Sequence, residues 1–118
     1  NAKILYILKS IKLSVGEYMS KKDNSNVDIE AATFQRILSH LRDNPNVQNI
    51  DLMNLANFCR NCISKWYSEE AKKLGQEIDY DSAREYIYGM PYDDYKKKYQ
   101  KPATAEQLKK FNENKNRN

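Results

Sequence analysis

Cys59 and Cys62, three positions apart, carry the most obvious chemistry in this 118-residue sequence. Paired thiols at this spacing can cycle between dithiol and disulfide, or supply half of a zinc site. The redox chemistry requires the first cysteine at a helix N-terminus, where backbone N–H groups stabilise a thiolate. The surrounding run LANFCRNCISKW instead places Cys59 about two turns inside a helix, in the middle of an apolar stripe. There a cysteine behaves as a small hydrophobe. A zinc site needs about four ligands, and no second CxxC accompanies this one. The only histidine, His40, falls off the apolar face of its own helix, beside Arg36 and Thr33. Joining Cys59, Cys62 and His40 requires their helices to meet by unexpected sides, or a second chain to supply a ligand. The plainer expectation is a packed, reduced pair with no cofactor; zinc or iron is the metal that this donor set would take.

The polar side of the same segment is less usual. Asn54, Asn57 and Asn61 fall on one face of the expected helix, with Arg60, Ser64 and Lys65 close by and Asn49 and Asp51 at its start. Solvated helix faces normally use Glu, Lys and Arg, which have better helix propensity than Asn. A row of amides, each offering donors and acceptors, suits a hydrogen-bonding contact or ligand face. The sequence is rich in Asn throughout, and on composition alone that bias is the better explanation of such a row.

The elements that must hold these residues read as helices throughout. Three Gly and three Pro leave little room for the turns of a β-sandwich. Near the start, Ile4, Ile7, Leu8, Ile11 and Val15 share one helical face. The polar stretch SKKDNSN separates this piece from a helix expected over 29–43, capped by Asp28 or Asn26, with Ala31, Phe34, Ile37, Leu38 and Leu41 inward. DNPN stops it, because Pro45 disfavours helical geometry in the preceding residue. A central helix over 51–74 follows, its stripe made of Leu52, Leu55, Ala56, Cys59, Ile63 and Trp66 and its stop supplied by Gly75. Shorter helices are expected over 82–88, ended by Gly89, and over 92–99. Thr104 with Gln107 reads as a capping box for a last helix over 105–112. The fold class is therefore all-α: a compact orthogonal bundle of about five helices over 27–112, an added amphipathic helix with its linker over 1–26, and a frayed polar tail at 113–118.

Charge narrows the partners. The net +4 comes from 20 basic and 16 acidic residues, and the first 22 residues hold five lysines against one glutamate. The remaining 96 are balanced, fifteen against fifteen. A nucleic-acid binder carries its excess charge on the folded face that meets phosphate, so nucleic acid is not the expected partner. No run of apolar residues is long enough for a transmembrane segment. Cysteines three apart cannot staple distant elements, which fits a soluble chain in a reducing intracellular compartment, the cytoplasm by default. Residues 1–18, acid-free before Glu17, fit either an organelle-targeting segment or a helix docked on this domain or on a second copy.

The run VQNIDLMNLANFCRNCISKWY at 47–67, with YGMPYDDYK at 88–96 and FQRILSHLRD at 34–43, resembles the domain-of-unknown-function family 1244. The resemblance covers about residues 29–111. It implies a compact helical fold and no established activity. The shared motif, carried onto this chain, takes in His40, Gln48, Asn49, Asp51, Asn54, Cys59, Arg60, Asn61, Cys62, Lys65 and Trp66. Asn57 departs from it, standing where the family usually has a small residue such as Gly.

Two functions from different classes follow. The first is a protein-interaction or self-association module, a homo-oligomer or a partner's dock, acting through Asn49, Asp51, Asn54, Arg60, Asn61 and Lys65. The second is a metal- or thiol-dependent enzyme or redox protein using Cys59, Cys62 and His40. Whether the chain is an enzyme stays open at this point.

Overall fold

The computed structural model describes residues 15–117, with side chains from 26 to 115. The apolar face expected at Ile4, Ile7, Leu8, Ile11 and Val15, and with it the choice between targeting and docking, lies outside the described side chains. Among the described residues there are six helices and no strand, so the chain is all-α. In order they are α1 (Val15–Asp43), α2 (Asn49–Ala56), α3 (Arg60–Lys73), α4 (Tyr80–Tyr88), α5 (Tyr92–Tyr99) and α6 (Ala105–Arg117). No helix among the described residues is long and apolar enough to cross a membrane.

The chain divides into two compact units, Asn1–Ile37 and Leu38–Asn118. In the first, α1 runs without interruption through the SKKDNSN stretch that was expected to be a linker. That stretch holds neither Gly nor Pro, so nothing in it forces the helix to stop. Val27, Ile29 and Ile37 are exposed there, and Thr33 Oγ1 donates back to the Ile29 carbonyl at 2.8 Å.

The second unit holds the core. Leu38, Cys59, Ile63, Ala83, Ile87, Tyr88 and Tyr95 are buried together with Arg60 and Ser64. Helix α3 packs on α4, α4 on α5, and α2 on α6. Of the apolar face expected for 29–43, Leu38 is buried, Phe34 and Leu41 are half-buried, and Ala31 and Ile37 are exposed.

The helix ends follow local chemistry. Gly75, at φ +80, closes α3 with N–H bonds from Gly75 to the Lys72 carbonyl and from Gln76 to the Ala71 carbonyl. That paired pattern satisfies carbonyls that a helix otherwise leaves open. Asp79 accepts the Ser82 N–H and starts α4 two residues earlier than expected. Gly89, at φ +73, ends α4, and the Arg42 guanidinium donates to the Tyr86 and Ile87 carbonyls beside it. The capping box forms as read: Thr104 N–H donates to Gln107 Oε1 at 2.8 Å and Gln107 N–H to Thr104 Oγ1 at 3.1 Å. Helix α6 then continues past the expected end at 112 to Arg117, and Asn114 binds the Asn54 carbonyl.

The main departure lies in the middle. The single helix expected over 51–74 is two helices, because Asn57 adopts left-handed geometry at φ 61 and caps α2, its N–H donating to the Met53 carbonyl. Asn is among the few residues other than Gly that enter this region readily. Position 57 is therefore one that takes a positive φ, a conformation that Gly adopts without cost. Asn57→Gly should raise stability by about 0.5 kcal/mol and Asn57→Ala should lower it by about 1 kcal/mol, read as shifts of the urea midpoint. Equal midpoints for all three variants would contradict a strained turn at 57.

The break also redirects the stripe. Only Cys59 and Ile63 of its expected members are buried, Leu52 is half-buried, and Leu55, Ala56 and Trp66 are exposed. Asn54 on α2 and Asn61 on α3 consequently do not share one helix face.

Candidate functional site

The break at Asn57 changes the chemistry available to the cysteines. Cys59 does not lie inside a helix; it is the N-cap of α3, with extended backbone at φ −143 and ψ −174. An N-cap side chain reaches over the first turn toward the third helical residue, here Cys62. Both thiols are free, and their sulfurs lie 3.9 Å apart. Cys59 is buried and Cys62 half-buried, with the Cys62 Sγ 3.8 Å from Met53 Sδ. Burial pushes the Cys59 thiol above its ordinary value, while the backbone N–H groups of Cys62 and Asn61 pull it the other way.

Next to the pair, Arg60 is the largest fully buried side chain among the described residues, 2% exposed. Its guanidinium donates to the carbonyls of Val47 (2.7 Å) and Asn44 (2.9 Å), to Leu41 O at 3.5 Å, and to Asn49 Oδ1 at 3.0 Å. The Tyr95 ring lies 5.5 Å below it. No carboxylate is among these partners. Arg60 thus ties the end of α1, the 44–47 turn and the start of α2 to α3.

From Arg60 the hydrogen bonds continue in one direction. Asn49 Nδ2 donates to the Tyr88 hydroxyl at 2.9 Å, and that hydroxyl donates to Asn61 Oδ1 at 2.7 Å. Each donor in such a chain is strengthened by the acceptor role it also plays, and the cation at its head polarises it further. Burial raises Tyr88 above the usual phenol range, against the Asn49 donor, and burial likewise raises Tyr95. Asn49, Asn61, Tyr92 and Tyr95 line a hollow of about 270 Å³ with Gln48 and Lys101. Gln48 fastens the chain opposite: its Nε2 donates to Tyr99 O at 3.0 Å, and its Oε1 accepts the Lys101 N–H at 2.9 Å.

A second set of amides clasps α6. Gln107 Nε2 donates to Asp51 Oδ1 at 2.9 Å, Asn54 Nδ2 to the Gln107 carbonyl at 3.1 Å, and Asn114 Nδ2 to the Asn54 carbonyl at 3.3 Å. Asn54 Oδ1 is buried without a hydrogen-bond partner.

The structure thus gathers Asn49, Arg60 and Asn61 into one internal network and Asp51 with Asn54 into another. Lys65 is exposed. His40 is exposed on α1, and among the described residues no three of His, Cys, Asp and Glu converge as a set able to hold a metal ion. His40 therefore does not join the two sulfurs. Tyr88 and Tyr95 carry much of the geometry and were not singled out from the sequence, and Gln107, read there only as a helix cap, also holds Asp51 and Asn54. The run YGMPYDDYK held the signal for both tyrosines, since it belongs to the same family pattern as the central helix.

An apolar surface flanks the junction. Leu55, at the end of α2, is 81% exposed, Phe58 is 38% exposed, and Trp66 on α3 is 49% exposed. The Phe58 and Trp66 rings lie 5.6 Å apart and tilted. A shallow hollow of about 210 Å³, lined by Met53, Asn57, Phe111, Asn114 and Lys115, shares Asn57 with this junction.

Comparison with curated proteins found no match. The model of the family described as Protein of unknown function (DUF1244) matches residues 47–113, more than half of the chain and inclusive of both cysteines, Arg60 and the Asn49–Tyr88–Asn61 chain, and the protein belongs to that family.

Proposed function

We propose that the protein is a self-association module whose contact surface is the corner between α2 and α3, with a second copy of the chain as its partner. The observation that carries this reading is the exposed Phe58–Trp66 ring pair, with Leu55 also exposed at the end of α2, large apolar side chains at the surface beside a segment that Arg60 ties to the 44–47 turn. Exposed aromatics on a rigid base are the usual anchors of protein interfaces. The balanced charge of residues 23–118 supports a copy of the same chain as partner, because it sets no net repulsion between two such surfaces.

In this reading the amides act from inside. Asn49, Asn54, Asp51, Arg60 and Asn61 hold the corner in shape, and Lys65 contributes to its polar rim. Leu55→Asp or Trp66→Ala is expected to weaken association by about thirtyfold, the size of a hot-spot loss near 2 kcal/mol. Sedimentation velocity of the full chain from micromolar to near-millimolar concentration measures this. A chain that stays monomeric over that whole range removes the proposal.

A further inference from the structure

The two sulfurs supply a second inference, independent of association. We propose that Cys59 and Cys62 form a thiol–disulfide exchange site that closes reversibly into an intrachain disulfide, with Cys62 as the attacking thiol, Cys59 as the resolving thiol and a low-molecular-weight disulfide as the oxidant.

Three observations carry it. The N-cap position of Cys59 swings its side chain over the first turn of α3, so that its sulfur stands 3.9 Å from that of Cys62, three positions on. Had the helix run on through residue 57, both would be interior helical residues and this reach across the first turn would be absent. Exposure is also divided between them: Cys62 is half-buried and open to a small disulfide, whereas Cys59 is buried and faces its partner. Finally, no third ligand is at hand to recruit the pair to a metal among the described residues.

The exchange runs in two steps. The Cys62 thiol gives up its proton and its sulfur attacks one sulfur of the small disulfide. A mixed disulfide forms at Cys62, the small S–S bond breaks, and one small thiol leaves after taking up a proton. Cys59 then loses its proton, attacks Cys62 Sγ, forms the Cys59–Cys62 bond and expels the second small thiol. The protein loses two electrons and two protons, and the oxidant is reduced to two thiols. Burial disfavours the Cys59 thiolate and keeps its sulfur from a small disulfide, so Cys59 reacts second, against the mixed disulfide beside it.

The order differs from that of redox enzymes in which the first cysteine of the motif is the exposed nucleophile. It also provides its own reporter. Phe58, next to Cys59 in the chain, packs on Trp66, the only tryptophan, so closure of the bridge should move the ring and change Trp66 emission.

The test uses the full chain, diluted until sedimentation shows a monomer, equilibrated in mixtures of reduced and oxidised glutathione, then alkylated and mapped by peptide mass. The expected result for the wild type is loss of both free thiols to one intrachain bridge, no lasting glutathione adduct, and full return of the thiols with dithiothreitol. Cys59→Ser should retain glutathione on Cys62. Cys62→Ser should react at Cys59 about tenfold more slowly or less. Far-UV circular dichroism confirms that the serine variants fold, and the wild-type map decides by itself if they do not. Both thiols remaining free in excess oxidised glutathione overturns the proposal. So does a stable adduct on the wild type, or a bridge between two chains.

Discussion

Arg60→Met should lower the stability of the fold by about 3–5 kcal/mol, measured as a shift of the urea midpoint at unchanged slope. Methionine fills similar space, so packing loss is not the main effect. The larger effect is what Arg60 leaves behind. The carbonyls of Val47 and Asn44 and the Asn49 amide oxygen all accept from the guanidinium, and they stay in place when it is removed. Each buried acceptor stripped of its donor costs about 1–3 kcal/mol. Replacing a complete buried ionic group by apolar residues can be neutral or even stabilising, but only when all of its members are replaced. Here every partner but the Asn49 side chain is a backbone carbonyl and cannot be. Arg60→Lys keeps the charge without the planar fork that serves several acceptors at once, and should fall between the two. A loss below about 1 kcal/mol for Arg60→Met would mean that water reaches these carbonyls and that the anchor matters little.

Tyr88→Phe removes one oxygen from the middle of the polarised chain and should cost about 2–3 kcal/mol. The hydroxyl both accepts from Asn49 and donates to Asn61, so its loss leaves two amide groups short of a partner. A double-mutant cycle with Asn61→Ala should show strong coupling, because the second change removes a group that the first has already orphaned. Additive losses would contradict a connected chain. The same tyrosine contributes to the loss of stability expected at alkaline pH. Tyr88, Tyr95 and Cys59 are raised in the folded state, chiefly by burial, from ordinary values of 10.0, 10.0 and 9.0. The folded chain therefore holds protons that the unfolded chain releases first. Stability from this source is fully present below about pH 9 and is lost as pH rises above it. Urea midpoints should be level up to that point and decline beyond it, less steeply in Tyr88→Phe. A midpoint that rises above about pH 9 would reverse the sign and refute the assignment.

Much of this architecture is written in short-range chemistry. The Thr104–Gln107 capping box, the Gly75 and Gly89 stops and the 92–99 helix all appear where the sequence places them, because each depends on residues within one or two turns. The central segment is different. A 24-residue apolar-periodic run with no Gly or Pro reads locally as one helix, and Asn57 is a weak signal against it. What ends α2 there is the set of contacts formed on both sides. Stopping at Asn57 lets Arg60 reach the end of α1 and the 44–47 turn, and lets Asp51 and Asn54 meet α6.

The amides show the same division. As a row on one helix they read as an outward face, yet Asn49 and Asn61 turn toward Tyr88, which lies 39 and 27 positions away in the chain. A window of one helix cannot contain that partner. The expected apolar stripe fails for the complementary reason: once the segment bends, Leu55 and Trp66 come to the surface and Cys59 moves from helix interior to helix start.

Short-range patterns specify an all-α chain and the ends of most of its helices, since these follow from periodicity and caps over short distances. That Cys59 caps a helix beside Cys62, that Asn49 and Asn61 bond inward to Tyr88 and that Leu55 and Trp66 are exposed follows instead from long-range contacts. All three depend on a single left-handed residue, whose modest strain is outweighed by long-range hydrogen bonds that no local pattern records.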